Sequence, residues 1–297
     1  MQVYDYVDGV YYFSDLIGPD VDGSPLAEGT AGVWPFVNGP HQWTPGTHKF
    51  FGWLVHDANG TETVTTDDLT PAGLFGNTFN YVTGEDKNVT IPAFADGVLT
   101  IPQTSMTQTS PQFDFMYSNI YMTEPTNTPV PLEFSHLFSA FCIAGENRQE
   151  DTKYDIKRIT LEGLNNTQKA SIDFSGETPV VTYTDLTTEK YTFDFDLSST
   201  DTTIGSGEQK VLTGTYLMWP QNIEYFTDVK LTLYYDYVSG GSTTTAEPKE
   251  IYLSSMPAWS PGQVKILNLV FNVDQITFRI EDLIPWNTEE KDIPVQM

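Results

Sequence analysis

The residues from which this chain could build chemistry are few. The candidates are four histidines (His41, His48, His56 and His136), one cysteine (Cys142) and 40 carboxylates. Zinc sites place ligands at short fixed spacings, such as two histidines four residues apart on a helix. None of the four histidines has such a neighbour. His56 stands beside Asp57 at the end of an apolar run and reads as a surface histidine. His136 shares a strand face with Leu132, Phe134, Phe138, Ala140 and Cys142, where an imidazole is expected to be buried and hydrogen-bonded. Cys142 lies inside the apolar run from Phe138 to Ile143, so a buried, inert thiol is expected rather than a nucleophile.

The remaining chemical patterns are weaker. Asp20, Asp22 and Gly23 hint at a calcium loop, but calcium needs six to eight oxygens, and Glu28 stands at the wrong spacing for an EF-hand. A turn with exposed carboxylates is the expectation there. No Gly-x-Ser-x-Gly elbow occurs, and the glycine spacings fit neither a phosphate loop nor a dinucleotide fingerprint. Paired carboxylates could hydrolyse a glycosidic bond, but so many acidic residues single out no pair. Trp34, Trp43, Trp53, Trp219, Trp259 and Trp286 could stack on sugars if exposed, although strand tryptophans usually lie in cores. Asn59-Gly-Thr61 and Asn88-Val-Thr90 match glycosylation sequons that would be irrelevant in a bacterium. No catalytic, cofactor-binding or metal-ligating residue is assigned, and no cofactor is expected.

Composition narrows the class. The formal charge of −26 and pI near 4.1 oppose contact with nucleic acid, which needs basic patches against phosphate. They also oppose an anionic membrane surface. Such acidity fits solubility outside the cell. A lone cysteine excludes an internal disulfide, which suits a bacterial exported protein. No run approaches the roughly 20 apolar residues of a membrane helix, and no signal peptide is visible. Met1-Gln2 reads as a start placed on a mature fragment.

The elements that must position these residues are strands. The chain holds 16 Tyr and 18 Phe, with 22 Gly and 19 Pro spread between them, a composition of strands and turns. Residues 1–147 carry two basic side chains against 17 acidic ones, a net −15; residues 148–297 carry the remaining 12 and 23, a net −11. The shift falls in the polar stretch from Gly145 to Thr152, so the expected domains are 1–148 and 149–297, give or take about 15 residues. In the first, Lys49 to His56 is the strongest strand, with turns at 18–25 and 37–40. Asn88–Pro92 and Gly97–Pro102 are short strands that end in proline, which cannot extend a ladder. In the second, Tyr191, Phe193, Phe195 and Leu197 alternate at period two on one face. Strands are also expected at 154–161, 170–174, 180–183, 211–219, 229–235, 250–253, 264–273 and 276–280, the spacing of a β-sandwich. Phe134, Leu137, Phe138 and Phe141 recur at helical spacing, but the preceding Pro129-Val-Pro131 favours a strand.

In this order, several motifs resemble the fimbrillin family. They are Asp114-Phe-Met-Tyr117, the strand Val130-Pro-Leu-Glu-Phe-Ser-His136, and Tyr154-Asp-Ile-Lys-Arg-Ile-Thr-Leu-Glu-Gly163. Trp259-Ser-Pro-Gly-Gln263 and Phe50-Phe-Gly-Trp53 are similar too. These proteins are subunits of type V pili in Gram-negative gut and oral anaerobes. The histidine-containing strand departs from the family pattern by reading Leu137-Phe-Ser-Ala-Phe141. The resemblance implies an all-β fold of two tandem transthyretin-like β-sandwich domains. It further implies export as a lipoprotein to the outer membrane and cell surface, and assembly with other pilin subunits through donor-strand exchange. A head-to-tail contact of that kind generates a filament. The expected function is a structural or adhesive pilus subunit, tip or accessory rather than shaft, not an enzyme, with a host glycan or protein receptor as a further partner. The alternatives are a carbohydrate- or ligand-binding surface adhesin and a secreted glycoside hydrolase. The tail Ile293–Met297 or the Ile276–Ile280 strand is the candidate donor, against a frayed terminus for 287–297.

Overall fold

The computed structural model describes residues 2–16, 41–57, 80–81, 93–108, 113–126, 130–185, 190–222, 228–253, 257–272 and 276–282. The expected all-β class is found: strands dominate, and no α-helix occurs among the described residues. Along the chain run β1 (Gln2–Val7), β2 (Val10–Leu16), β3 (His48–Asp57), β4 (Asn80–Tyr81), β5 (Ala93–Ala95) and β6 (Val98–Ser105). There follow β7 (Phe113–Ser118), β8 (Tyr121–Thr123), β9 (Phe134–His136), β10 (Ser139–Asn147), β11 (Thr152–Leu164), β12 (Thr167–Asp173) and β13 (Val180–Asp185). The rest are β14 (Tyr191–Asp196), β15 (Thr203–Ile204), β16 (Gln209–Val211), β17 (Tyr216–Met218), β18 (Lys230–Ser239), β19 (Ser242–Thr245), β20 (Lys249–Tyr252), β21 (Val264–Phe271) and β22 (Ile276–Asp282).

These strands form four sheets. The first has the order β2-β1-β3-β7-β9, with β4 and β8 also on β3. The second has the order β13-β12-β6-β5. The third is β16-β10-β21-β22 with β17 on β10, and the fourth is β14-β11-β18-β19 with β15 on β11 and β20 on β18. Ring contacts show which faces pack together. Tyr4 and Phe51 of the first sheet meet Phe94 of β5 and Phe174 beyond β12, with Phe51 and Phe174 stacked at 4.5 Å. Between the third and fourth sheets, Phe141 meets Phe193 at 5.1 Å and Tyr154 meets Phe271 at 4.3 Å. The two sandwiches share one continuous apolar core. Tyr183 ties them by donating its hydroxyl to the Leu137 carbonyl at 2.8 Å and meeting Trp219 edge-on.

The Gly145–Thr152 stretch lies at the turn from β10 to β11. Strand pairing runs across it. β6 is antiparallel to β12, and β10 lies parallel to β21, the one parallel pair among the described strands. Three tight hairpins rest on two-residue turns with positive φ at both positions: Asp8-Gly9, Asp96-Gly97 and Gly240-Gly241. That geometry is the mirror-image turn whose twist matches paired strands.

Three local expectations need correction. β6 does not stop at Pro102; it runs on to Ser105 through a bulge opposite Gln168–Ala170. A bulge leaves one residue unpaired, which accommodates the missing N–H of proline. The apolar segment from Phe134 is extended as expected, but it is two strands, β9 and β10, in different sheets, joined through buried Leu137 and Phe138. The 211–219 strand is likewise split into β16 and β17. The 18–25 and 37–40 turns and the Asn88–Pro92 strand lie outside the described residues.

Candidate functional site

No catalytic constellation was expected, so the site is sought in what the sheets leave exposed and in the polar groups they bury. The first sheet is informative because both its faces are covered. Register places Tyr4 and Tyr6 of β1 beside Phe51 and Lys49, facing the second sheet. The alternate row on the opposite face is Val3, Asp5 and Val7, beside Gly52, Phe50 and His48. Phe13 of β2 lies opposite Asp5 on that same face.

This outer face is a network of rings. Phe13 stacks on His41 at 3.8 Å and meets Phe50 edge-on. His48 stacks on Phe50 at 5.8 Å. Trp43 meets His48 and Phe50 edge-on at 4.6 and 5.7 Å, and Tyr12 meets His48 at 6.0 Å. Tyr121, Val130 and Leu132 pack beside Val3 and Phe50. At the rim of this face Val10, Tyr12 and Trp43 are exposed large side chains, with Val10 at 70% and Trp43 at 37%, whereas Tyr11 and Met122, opposite Tyr6 and Lys49, are exposed on the side facing the second sheet.

Two carboxylate–imidazole pairs are buried in this face. Asp5 on β1 contacts His48 on β3 at 2.6 Å through Nδ1. Asp114 on β7 contacts His136 on β9, also through Nδ1. Each is a diagonal cross-strand pair: Asp5 lies opposite Phe50, two residues from His48, and His136 lies opposite Met116, two residues from Asp114. All four side chains are almost fully buried. Burial pushes the Asp5 carboxyl above its ordinary value, against the hydrogen bond and charge of His48. Burial opposes the His48 imidazolium, but the Thr44 carbonyl and the bond and charge of Asp5 outweigh it and raise that group.

The other sequence candidates are placed as follows. His136 is the buried, hydrogen-bonded histidine that its strand face implied. Cys142 is fully buried, and burial pushes its thiol up to about 12. Trp53, Trp219 and Trp259 are core residues, whereas Trp43 is exposed. Trp34, Trp286, Asp20, Asp22, Glu28, Asn59, Asn88 and the tail 287–297 lie outside the described residues. His56 is the cross-strand partner of Asp114. Among the described residues no group of three or more His, Cys, Asp or Glu is placed to hold a metal ion. The Ile276–Ile280 segment lies in β22, paired along β21 of its own chain. Sequence reasoning missed the Asp5–His48 pair and the whole β1–β2 hairpin.

Sheet margins differ in character. The β19–β20 margin is made of Ser242–Thr245 and Lys249–Tyr252 with Pro248 between them; β19 is polar throughout, of the kind that blunts an edge, whereas β20 carries exposed Tyr252. The β2 and β13 margins carry exposed Val10, Tyr11 and Val180.

Taken together, this is an all-β scaffold with two sandwiched pairs of sheets and a ring-rich outer face. The sequence matches the fimbrillin-like family over residues 58–282, and the chain belongs to that family. Membership makes it a structural, non-enzymatic protein, and the hydrolase alternative falls away. A fimbrial protein from Bacteroides vulgatus ATCC 8482 aligns with a TM-score of 0.51 at 15% identity, covering 96% of this chain and 91% of that one. A fimbrial assembly protein from Parabacteroides distasonis ATCC 8503 aligns with a TM-score of 0.36 at 11% identity, covering 95% and 86%. The former likeness supports a shared fold. No curated protein matches the sequence.

Proposed function

We propose that the protein is a subunit of a cell-surface fimbrium, tip or accessory rather than shaft, assembled with other subunits by β-strand addition. The observation that carries this reading is the fimbrillin-like match over residues 58–282. In this reading the first two sheets and the last two form tandem transthyretin-like sandwiches, and a lipid anchor ties the assembly to the outer membrane. An added strand gains affinity from main-chain hydrogen bonds and register from alternate side chains. The margins at β2 and β13, which carry exposed apolar side chains, are better acceptors than the β19 margin, which is polar throughout. The donor is the tail Ile293–Met297. The test is immunogold electron microscopy of a deletion strain complemented with the full chain or with a chain ending at Trp286. Label at filament ends or at sparse points with the full chain, and none with the shortened one, supports the whole reading. Label absent from filaments refutes the subunit role, label along the whole shaft refutes the tip or accessory place, and normal labelling by the shortened chain refutes the tail as donor.

Exposed Trp43 and Tyr12 on one face favour a second reading, an adhesin that stacks a sugar or other flat ligand there. Glycan-array binding abolished by Trp43→Ala supports it; no signal from the parent protein eliminates it.

A further inference from the structure

His48 joins three elements. From β3 its Nδ1 reaches Asp5 Oδ2 of β1 at 2.6 Å, and its Nε2 reaches the Thr44 carbonyl oxygen, in the segment 41–47, at 3.0 Å. A carbonyl oxygen only accepts, so Nε2 must carry hydrogen. The 2.6 Å contact then needs a second hydrogen, either on Nδ1 or on the carboxyl group. A neutral imidazole beside an ionised carboxylate satisfies one contact and not the other. The observed arrangement therefore holds one proton more than those two groups hold in their ordinary neutral-pH forms.

We propose that this proton latches the 41–47 segment, and with it the Trp43 ring, onto the first sheet, so that its loss uncovers Phe50 and the aromatic face. Other ties join the segment to the sheet, among them the His41 ring stacked on Phe13 at 3.8 Å. The Thr47 amide donates to Asp8 Oδ1 at 3.0 Å, and the Thr47 hydroxyl donates to Glu124 at 2.7 Å. The Asp8 amide donates back to the Thr47 carbonyl at 3.0 Å, and the Tyr12 hydroxyl donates to the Gln42 carbonyl at 3.0 Å.

The groups facing the pair are Asp5 from β1, Tyr12 from β2, Glu124 after β8, and His41 in the segment itself. Glu124 favours a proton on His48, while His41 favours the ionised form of Asp5. Both members of the pair bind a proton more tightly folded than free. Such groups stabilise fully below their unfolded values and lose that contribution as pH rises through the folded value. The latch is thus closed in acid and opens above the ordinary histidine range of about 6.5, releasing one proton to solvent. Once it is gone, a lone pair faces either Asp5 or the Thr44 oxygen in a site shielded from water, where repulsion is strong.

The test is nitrogen-15 NMR of the histidine rings in the full chain from pH 5 to 10, with amide hydrogen exchange at Thr47. The expected result is a His48 ring with both nitrogens protonated, or the neutral ring with the proton on Asp5, persisting above the pH at which a free histidine loses its proton. Thr47 protection then falls about tenfold, beyond intrinsic base catalysis, for each pH unit between the ordinary histidine value and the transition, and levels off above it. In Asp5→Asn the amide can donate to Nδ1 while Nε2–H still donates to Thr44, so the segment stays docked without that transition. A His48 that titrates like a free histidine, or the same pH-dependent exchange in Asp5→Asn, overturns the proposal.

Discussion

Gly145 offers the sharpest test of how closely the third and fourth sheets approach. It lies in β10, and a Cβ added there would come within 2.4 Å of Ile204 Cδ1, 3.3 Å of Leu212 Cδ1 and 3.5 Å of Phe271 Cε2. Ordinary carbon contacts lie near 3.5–4.0 Å, so the first is more than 1 Å too short. Ile204 is fully buried and cannot swing into solvent. The backbone at Gly145 is not in the left-handed region, so the cost is packing alone. Alanine restricts the unfolded chain and returns about 0.4–1 kcal/mol, whereas overpacking costs about 1–3 kcal/mol. Gly145→Ala is therefore expected to destabilise by about 1–2 kcal/mol. Ile204→Val removes the clashing methyl and alone costs about 0.5–1.5 kcal/mol. Combined, the two changes should be less harmful than their sum by at least about 1 kcal/mol. Urea unfolding followed by tryptophan fluorescence reads all three variants. A Gly145→Ala protein as stable as the parent, or a strictly additive double variant, refutes the packing argument.

Two further outcomes follow from named contacts. Cys142, fully buried with its thiol pushed up to about 12, should resist a disulfide reagent at pH 8 in the native protein and react completely in urea; rapid native labelling would sink this. Tyr183→Phe removes the hydroxyl bonded to the Leu137 carbonyl at the seam between the sandwiches, and should cost about 0.5–1.5 kcal/mol in a denaturant titration; unchanged stability would show that the bond contributes nothing.

The sequence disclosed strands where one face was wet. In β14 and just beyond it, Tyr191, Phe193, Phe195 and Leu197 alternate with exposed Thr192, Asp194 and Asp196, and the expected face is the more buried one. β21 shows no alternation, because every residue from Val264 to Phe271 is buried, Lys265 and Asn268 included. β1 went unread for a related reason. Its outer row of Val3, Asp5 and Val7 puts a carboxylate where an apolar residue is expected, and only the Asp8-Gly9 turn marked the hairpin. The helix-like spacing from Phe134 to Phe141 arises because the chain changes sheets between β9 and β10, so one alternation is interrupted by Leu137 and Phe138, both of which are buried.

The buried polar pairs were hidden for a different physical reason. Asp5 and His48 are 43 residues apart, and Asp114 and His136 are 22 apart. Each pair exists only through strand register, and a slip of one residue would send its members to opposite faces. Unpaired, a buried carboxylate would cost several kcal/mol, so the pairs penalise every wrong register more heavily than apolar contacts do. The same dependence on distant register explains why the change in charge near Gly145 does not mark how strands are shared. Charge follows what solvent sees, whereas β6 with β12 and β10 with β21 pair according to what each strand must bury. A fold whose sheets are completed by strands distant in sequence already relies on recognising a strand by its side-chain pattern alone, which is the same recognition that subunit assembly by strand addition would require of a neighbouring chain.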